Sequence, residues 1–251
     1  MPSLSMLSKA CGAIATVAML TTALSSTANA QVNFGRSSDG PGASLQEQLD
    51  ALNAGIDTEN DESGAETFQT IGKGVRSFLL FEIAGFAPFN TVGIYNSNGD
   101  MKELFTGADG NDGATRSRRI GKNELSNDGF DQFGMYLTNK RGQTFYSEVS
   151  KNSDGHDYFL AYQGSGQRLE NIDGDLNPNK NGDQTRIRLK TTDYLFAWED
   201  LPWSSSDKDY NDFVGIIRNV EVSEDVPEPA SMLGLAVVAG GAIALRRRQT
   251  A

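Results

Sequence analysis

Between Phe196 and Phe213 the chain reads FAWEDLPWSSSDKDYNDF, a stretch crowded with hard oxygen ligands. Glu199 and Asp200 precede a Pro-Trp turn and a run of serines; Asp207, Asp209, Asn211 and Asp212 follow it. Ca²⁺ takes roughly six to eight oxygens from carboxylates, amides and carbonyls in tolerant geometry, and these six side chains form a candidate calcium site. Asp207, Asp209 and Asn211 alternate, so an extended or looped backbone aims them to one side. Glu199 and Asp200 approach them if the flanking strands close as a hairpin through Leu201 to Ser206. The same residues also fit a turn whose Asp and Asn side chains bond backbone amides, and at the level of sequence both readings stand.

Two placed carboxylates are enough for glycoside hydrolysis, and Glu199 or Asp200 with Asp207 or Asp209 would supply them. Trp198 and Trp203 are candidate glycan contacts, stacking on sugar rings either in such an enzyme or in a carbohydrate-binding module without catalysis. Five acids in fourteen residues exceed what a two-carboxylate mechanism needs, and like charges packed together favour a cation. His156, the single histidine, stands between Asp154 and Asp157, but no Gly-x-Ser-x-Gly elbow accompanies it. Zinc would lack its usual His and Cys ligands. The expectation is therefore a protein that is not an enzyme, with hydrolase and sugar-binding module as the alternatives.

A second polar loop, Asn171 to Asp183, opens like an EF-hand with Asp173, Asp175 and Asn177. Pro178 stands where that loop requires Gly, and Gln184 replaces the closing Glu. As an EF-hand it fails. Asp109 to Gly113 is a weaker candidate of the same kind.

The two ends of the chain read as addresses. Lys9, the apolar run Gly12 to Leu24 and the small residues Ala28 and Ala30 have the order of a signal peptide over 1–30, cut by signal peptidase before Gln31. The only cysteine, Cys11, lies inside it, so the exported part is expected to contain neither disulfide nor thiol nucleophile. At the other end, over 224–251, Pro227, Glu228 and Pro229 precede the apolar run 230–245 and then Arg246, Arg247 and Arg248. A helix over that run spans about 24 Å, slightly short of a bilayer core of about 30 Å, and flanking residues make up the difference. The arginines hold its end on the cytoplasmic side, while the two prolines keep Glu228 extended outside the membrane.

The whole chain carries a net charge of -11. Lys9, Glu228 and the three terminal arginines together contribute +3, so the part between stands at -14. That balance argues against a nucleic-acid partner and suits a solvated surface that recruits cations. Glycine, 27 of 251 residues, together with frequent Asn and Asp, implies many turns.

The elements that must position the acids follow from periodicity. Residues 31–66 read as a leader with one helix over 44–54, capped by Ser44 and Glu47 and apolar at Leu45, Leu49 and Leu52. From 67 to 223 the chain reads as strand: Ser77–Ile83, Thr91–Tyr95, Met101–Phe105, Gly134–Thr138, Thr144–Val149, Asp157–Gln163, Thr185–Lys190, Tyr194–Trp198 and Phe213–Val222. Short strands without alternating helices predict an all-β fold, an antiparallel jelly-roll-like β-sandwich, with the signal peptide and a C-terminal transmembrane helix at its ends.

Pro227-Glu228-Pro229, the apolar run and the terminal arginines resemble the PEP-CTERM sorting signal. That resemblance implies processing by an exosortase, transient anchoring in the inner membrane, and delivery to the envelope, surface or extracellular polysaccharide matrix of a Gram-negative bacterium. Ser44 to Asp50, Phe81 to Tyr95, Glu103 to Gly107, His156 to Tyr162 and the FAWEDLP…DKDYNDF stretch are similar to a domain of unknown function, DUF4114, often carried by such proteins. The resemblance implies a surface β domain and brings no reaction with it.

Overall fold

Side-chain alternation along the strands divides the apolar residues between two cores that share one sheet. The computed structural model describes residues 34–36, 44–82, 89–107, 116–172 and 185–223. The signal segment with Ala28 and Ala30, the tail with Pro227, Glu228, Pro229 and Arg246 to Arg248, and residues 108–115 and 173–184 of the two polar loops lie outside them. Among the described residues no helix is long and apolar enough to cross a membrane.

The strands are β1 Thr67–Thr70, β2 Gly74–Phe81, β3 Thr91–Tyr95, β4 Met101–Thr106, β5 Arg116–Gly121, β6 Gln132–Thr138 and β7 Thr144–Tyr146. They continue as β8 Phe159–Gln163, β9 Arg168–Ile172, β10 Thr185–Arg188, β11 Asp193–Trp198, β12 Phe213–Arg218 and β13 Val220–Val222, with helices α1 Leu45–Ala51 and α2 Lys122–Asn127. One sheet has the order β13-β1-β6-β3-β4, with β7 added to β6; the second has β5-β2-β12-β11-β8; β9 and β10 form a separate pair. Every pairing is antiparallel.

Between the two sheets lies the first core, with Phe68, Ile94, Met135, Phe196, Trp198 and Phe213. The reverse face of the second sheet carries another, in which Phe78, Leu160, Leu195 and Ile216 pack against Leu45 and Leu49 of α1 and Ile172 and Ile187 of the β9–β10 pair. Strand β11 is therefore buried along its whole length. Tyr194, Phe196 and Trp198 enter one core, Leu195 and Ala197 the other. Each large apolar side chain so buried contributes roughly 1.5–3 kcal/mol before chain entropy is counted.

The antiparallel sandwich is as expected, with differences at its margins. Ser44 and Glu47 do close a capping box, but α1 stops at Ala51 rather than Ala54, because Asn53 at φ 54° and Gly55 at φ 60° turn the chain away. The segment read as a leader builds one wall of the second core. Strands β1, β5 and β9 and helix α2 were not anticipated. The long final run divides at Asn219, whose φ of 62° breaks the ladder.

Candidate metal centre

Strands β11 and β12 pair from Asp193 with Arg218 to Trp198 with Phe213, and the acidic residues fill the loop that joins them. Within that loop the Pro202 carbonyl accepts from the amides of Ser205 at 2.8 Å and Ser206 at 3.0 Å. This turn brings the Ser206 hydroxyl onto Glu199 Oε2, to which it donates. The Lys208 amide donates to Ser206 Oγ at 3.0 Å, and the Tyr210 amide to Glu199 Oε1 at 2.7 Å. Lys208 and Tyr210 have φ of 61° and 54°, a left-handed conformation that costs a residue with a Cβ roughly 1–2 kcal/mol. Asp209 sits between them. The consequence is that carboxylate oxygens of Glu199, Asp207 and Asp209 lie within 4.8 Å of one another.

Two of the three are inside the protein: Glu199 is 0% exposed and Asp209 2%. Burial pushes the Glu199 carboxyl up to about 7, and the charges of Asp209 and Asp207 add to the shift; the bonds from Ser206 and Tyr210 oppose it. Asp212 is raised well above the carboxylate range, first by burial and then by Asp200 and Glu199. Negative charge is thus gathered where water cannot solvate it, the setting in which a divalent ion stabilises most.

The other predicted ligands are engaged in hydrogen bonds around this group. Asp200 Oδ2 accepts from Asn90 Nδ2 at 2.8 Å, its carbonyl accepts from Asn139 Nδ2 at 2.7 Å, and its amide donates to Asp212 Oδ2 at 2.8 Å. Asn211 Nδ2 donates to Asp209 Oδ2 at 2.7 Å. Of the six, Glu199, Asp207 and Asp209 bring carboxylate oxygens together, and Asn211 lies against Asp209. The capped-turn reading is also realised in part, since Asp212, Ser206 and Asp209 accept from backbone amides. Sequence reasoning missed Ser206, although it lies in the quoted stretch. Asn90 and Asn139, remote in the chain, carry no local signal.

Of the two tryptophans, Trp198 is enclosed in the core and Trp203 is half-buried. Trp198 is 0% exposed and packs on Phe159 at 4.8 Å between ring centroids. Trp203 is stacked by the His156 ring at 4.5 Å and approached by Lys208 Nζ at 4.6 Å from its centroid. Its amide donates to the Tyr158 hydroxyl at 2.8 Å, and that hydroxyl donates to Asp154 Oδ2 at 2.5 Å. His156 is thereby assigned to packing. Over the loop runs the segment 34–36: Phe34 meets Tyr210 edge-on at 5.6 Å, and the Gly35 amide donates to the Lys208 carbonyl at 2.8 Å. A Cβ at position 35 would collide with the Asp207 carbonyl, so glycine is required there.

Comparison with protein families places names on two parts of the chain. Residues 97–218 match a domain of unknown function (DUF4114), and residues 225–248 match the PEP-CTERM protein-sorting motif. The first match runs from the β3–β4 turn to the end of β12 and contains the whole acidic loop. No curated protein and no solved structure matches the chain. The chain carries a DUF4114 domain followed by a PEP-CTERM motif, and is accordingly an exported protein, processed by an exosortase and sorted to the cell surface.

Proposed function

We propose that the exported chain works without catalysis at the surface or in the extracellular matrix of a Gram-negative bacterium, and that Ca²⁺ bound by Glu199, Asp207 and Asp209 stabilises its β-sandwich. The observation that carries the calcium reading is the convergence of these three carboxylates within 4.8 Å, two of them buried. Hard oxygen ligands in a loop of irregular backbone suit calcium's tolerant geometry, with carbonyl and water oxygens completing the shell. Against hydrolysis stands the same burial: a sugar ring cannot be seated against a Glu199 that is 0% exposed, and glycosidases need their two carboxylates on opposite sides of the bond they cleave.

The test is a thermal melt of the full chain in detergent, with calcium, with magnesium and with chelator. Calcium at about a hundred times its dissociation constant should add about 2.7 kcal/mol, and Asp207→Ala with Asp209→Ala should abolish the gain. Identical melting in calcium and in chelator would leave the capped turn as the full account of the loop. Turnover of a polysaccharide, lost on Glu199→Gln, would overturn the non-enzymatic reading.

A further inference from the structure

In a protein of net charge -11, a strongly basic concavity among the described residues lies at the opposite end of β12 from the acidic loop. Arg218, Arg76 and Arg119 stand abreast on three neighbouring strands: Arg218 opposite Arg76 across β12–β2, and Arg76 opposite Arg119 across β2–β5. Alternation with Phe78 and Ile216 puts Arg76 and Arg218 on the face of the second core. Lys73, Lys190 and Asn219 complete the rim of a cavity of about 270 Å³.

Like charges directly opposite on adjacent strands destabilise a sheet, so this row needs a compensating anion. Among the described residues one carboxylate is paired with the row. Buried Asp193 accepts from Arg218 Nε at 2.9 Å and, through the same oxygen, from the Lys190 amide at 2.9 Å. Among the described residues Arg76, Arg119, Lys73 and Lys190 form no ion pair. Arg76 is held below the usual guanidinium range by burial first, and then by the charges of Arg218 and Arg119. Its guanidinium lies 4.6 Å from the centroid of the Phe78 ring, and that of Arg218 lies 5.9 Å away, so both stand against the same ring.

We propose that this cavity binds the oxyanion groups, carboxylate or sulfate, of an acidic polysaccharide. Guanidinium forks match such groups two oxygens at a time. The site is concave and sized for one or two such groups. A lipid headgroup would need apolar side chains beside it to anchor the acyl chains. The exposed large apolar residues among those described, Phe89, Met101 and Val222, do not line the cavity. The inference is independent of the calcium reading, since none of its residues belongs to the acidic loop.

Binding of the full chain in detergent to polygalacturonate, dextran sulfate, neutral dextran and phosphatidylglycerol mixed micelles tests it. The chain should bind both charged polymers, more weakly as salt rises, and leave neutral dextran alone. Arg76→Gln with Arg119→Gln should weaken that binding roughly tenfold or more at a melting temperature no lower than the parent's, while Arg118→Gln, one position along β5, should not weaken it. Undiminished affinity in the double variant, equal capture of neutral dextran, or preference for the micelles would each overturn the proposal. Should the arginine pair fail to fold when replaced, Lys73→Gln with Lys190→Gln on the rim is read by the same criteria.

Discussion

Asp157 is a carboxylate whose environment opposes its charge. Burial is the first cause of its rise to about 7, with Glu62 and Glu66 adding to it and the Phe159 amide, donating at 3.0 Å, opposing it. The folded state therefore holds this proton more tightly than the unfolded chain, whose group titrates near 3.8. The stabilisation is fully present below that value and is lost as pH rises through about 7. Asp157→Asn keeps the oxygen that accepts from Phe159 and removes the charge. Melting curves from pH 4 to 8 should show little change at the acid end and a gain on the order of 1–2 kcal/mol at the alkaline end. A variant whose stability falls with pH as steeply as the parent's would show that Asp157 is not the responsible group. At this scale the acidic loop was partly legible. Its ligand types were plain in the sequence, but the backbone of the loop, with positive φ at Lys208 and Tyr210, was not, because a Lys and a Tyr do not advertise that conformation.

Among the elements, α1 contributes far more than its seven residues suggest. Leu49 is 0% exposed in the core behind the second sheet, where Leu→Ala replacements typically cost about 2–5 kcal/mol. Leu49→Ala should lower the melting temperature sharply, whereas the half-buried Leu52 should tolerate the same change better. Equal effects would mean that α1 lies loosely on the sheet. The helix was readable from Ser44, Glu47 and its leucine spacing, as were β11 and β12 from unbroken apolar runs. Strand β5 was not, because Arg116, Arg118 and Arg119 make an edge strand look like a polar loop. Helix α2 was missed for want of a periodic face: Leu125 is its one buried residue. Strands β1 and β9 are short and half polar, and their hydrophobic signal amounts to Phe68 in one and Leu169 and Ile172 in the other. What was legible is what is buried on two sides; what escaped lies at the margins, where tertiary pairing overrides local preference.

For the molecule as a whole, destination is encoded apart from the fold. Replacing Pro227, Glu228 and Pro229 by alanine alters the segment the sorting motif occupies and leaves the described sandwich untouched. Fractionation of cells expressing that variant should find an unprocessed, membrane-bound precursor; normal release would show that sorting reads other residues. The sandwich has its own unity. Because β11 and β12 are adjacent interior strands of a sheet with a core on each face, the loop that joins them is fastened to both cores at once. Whatever tightens that loop acts as a clasp on the entire body, and whatever loosens it frees both layers together. Loss of either layer is therefore expected to carry the other with it, and a single melting transition seen alike by near- and far-ultraviolet circular dichroism is the outcome that checks this.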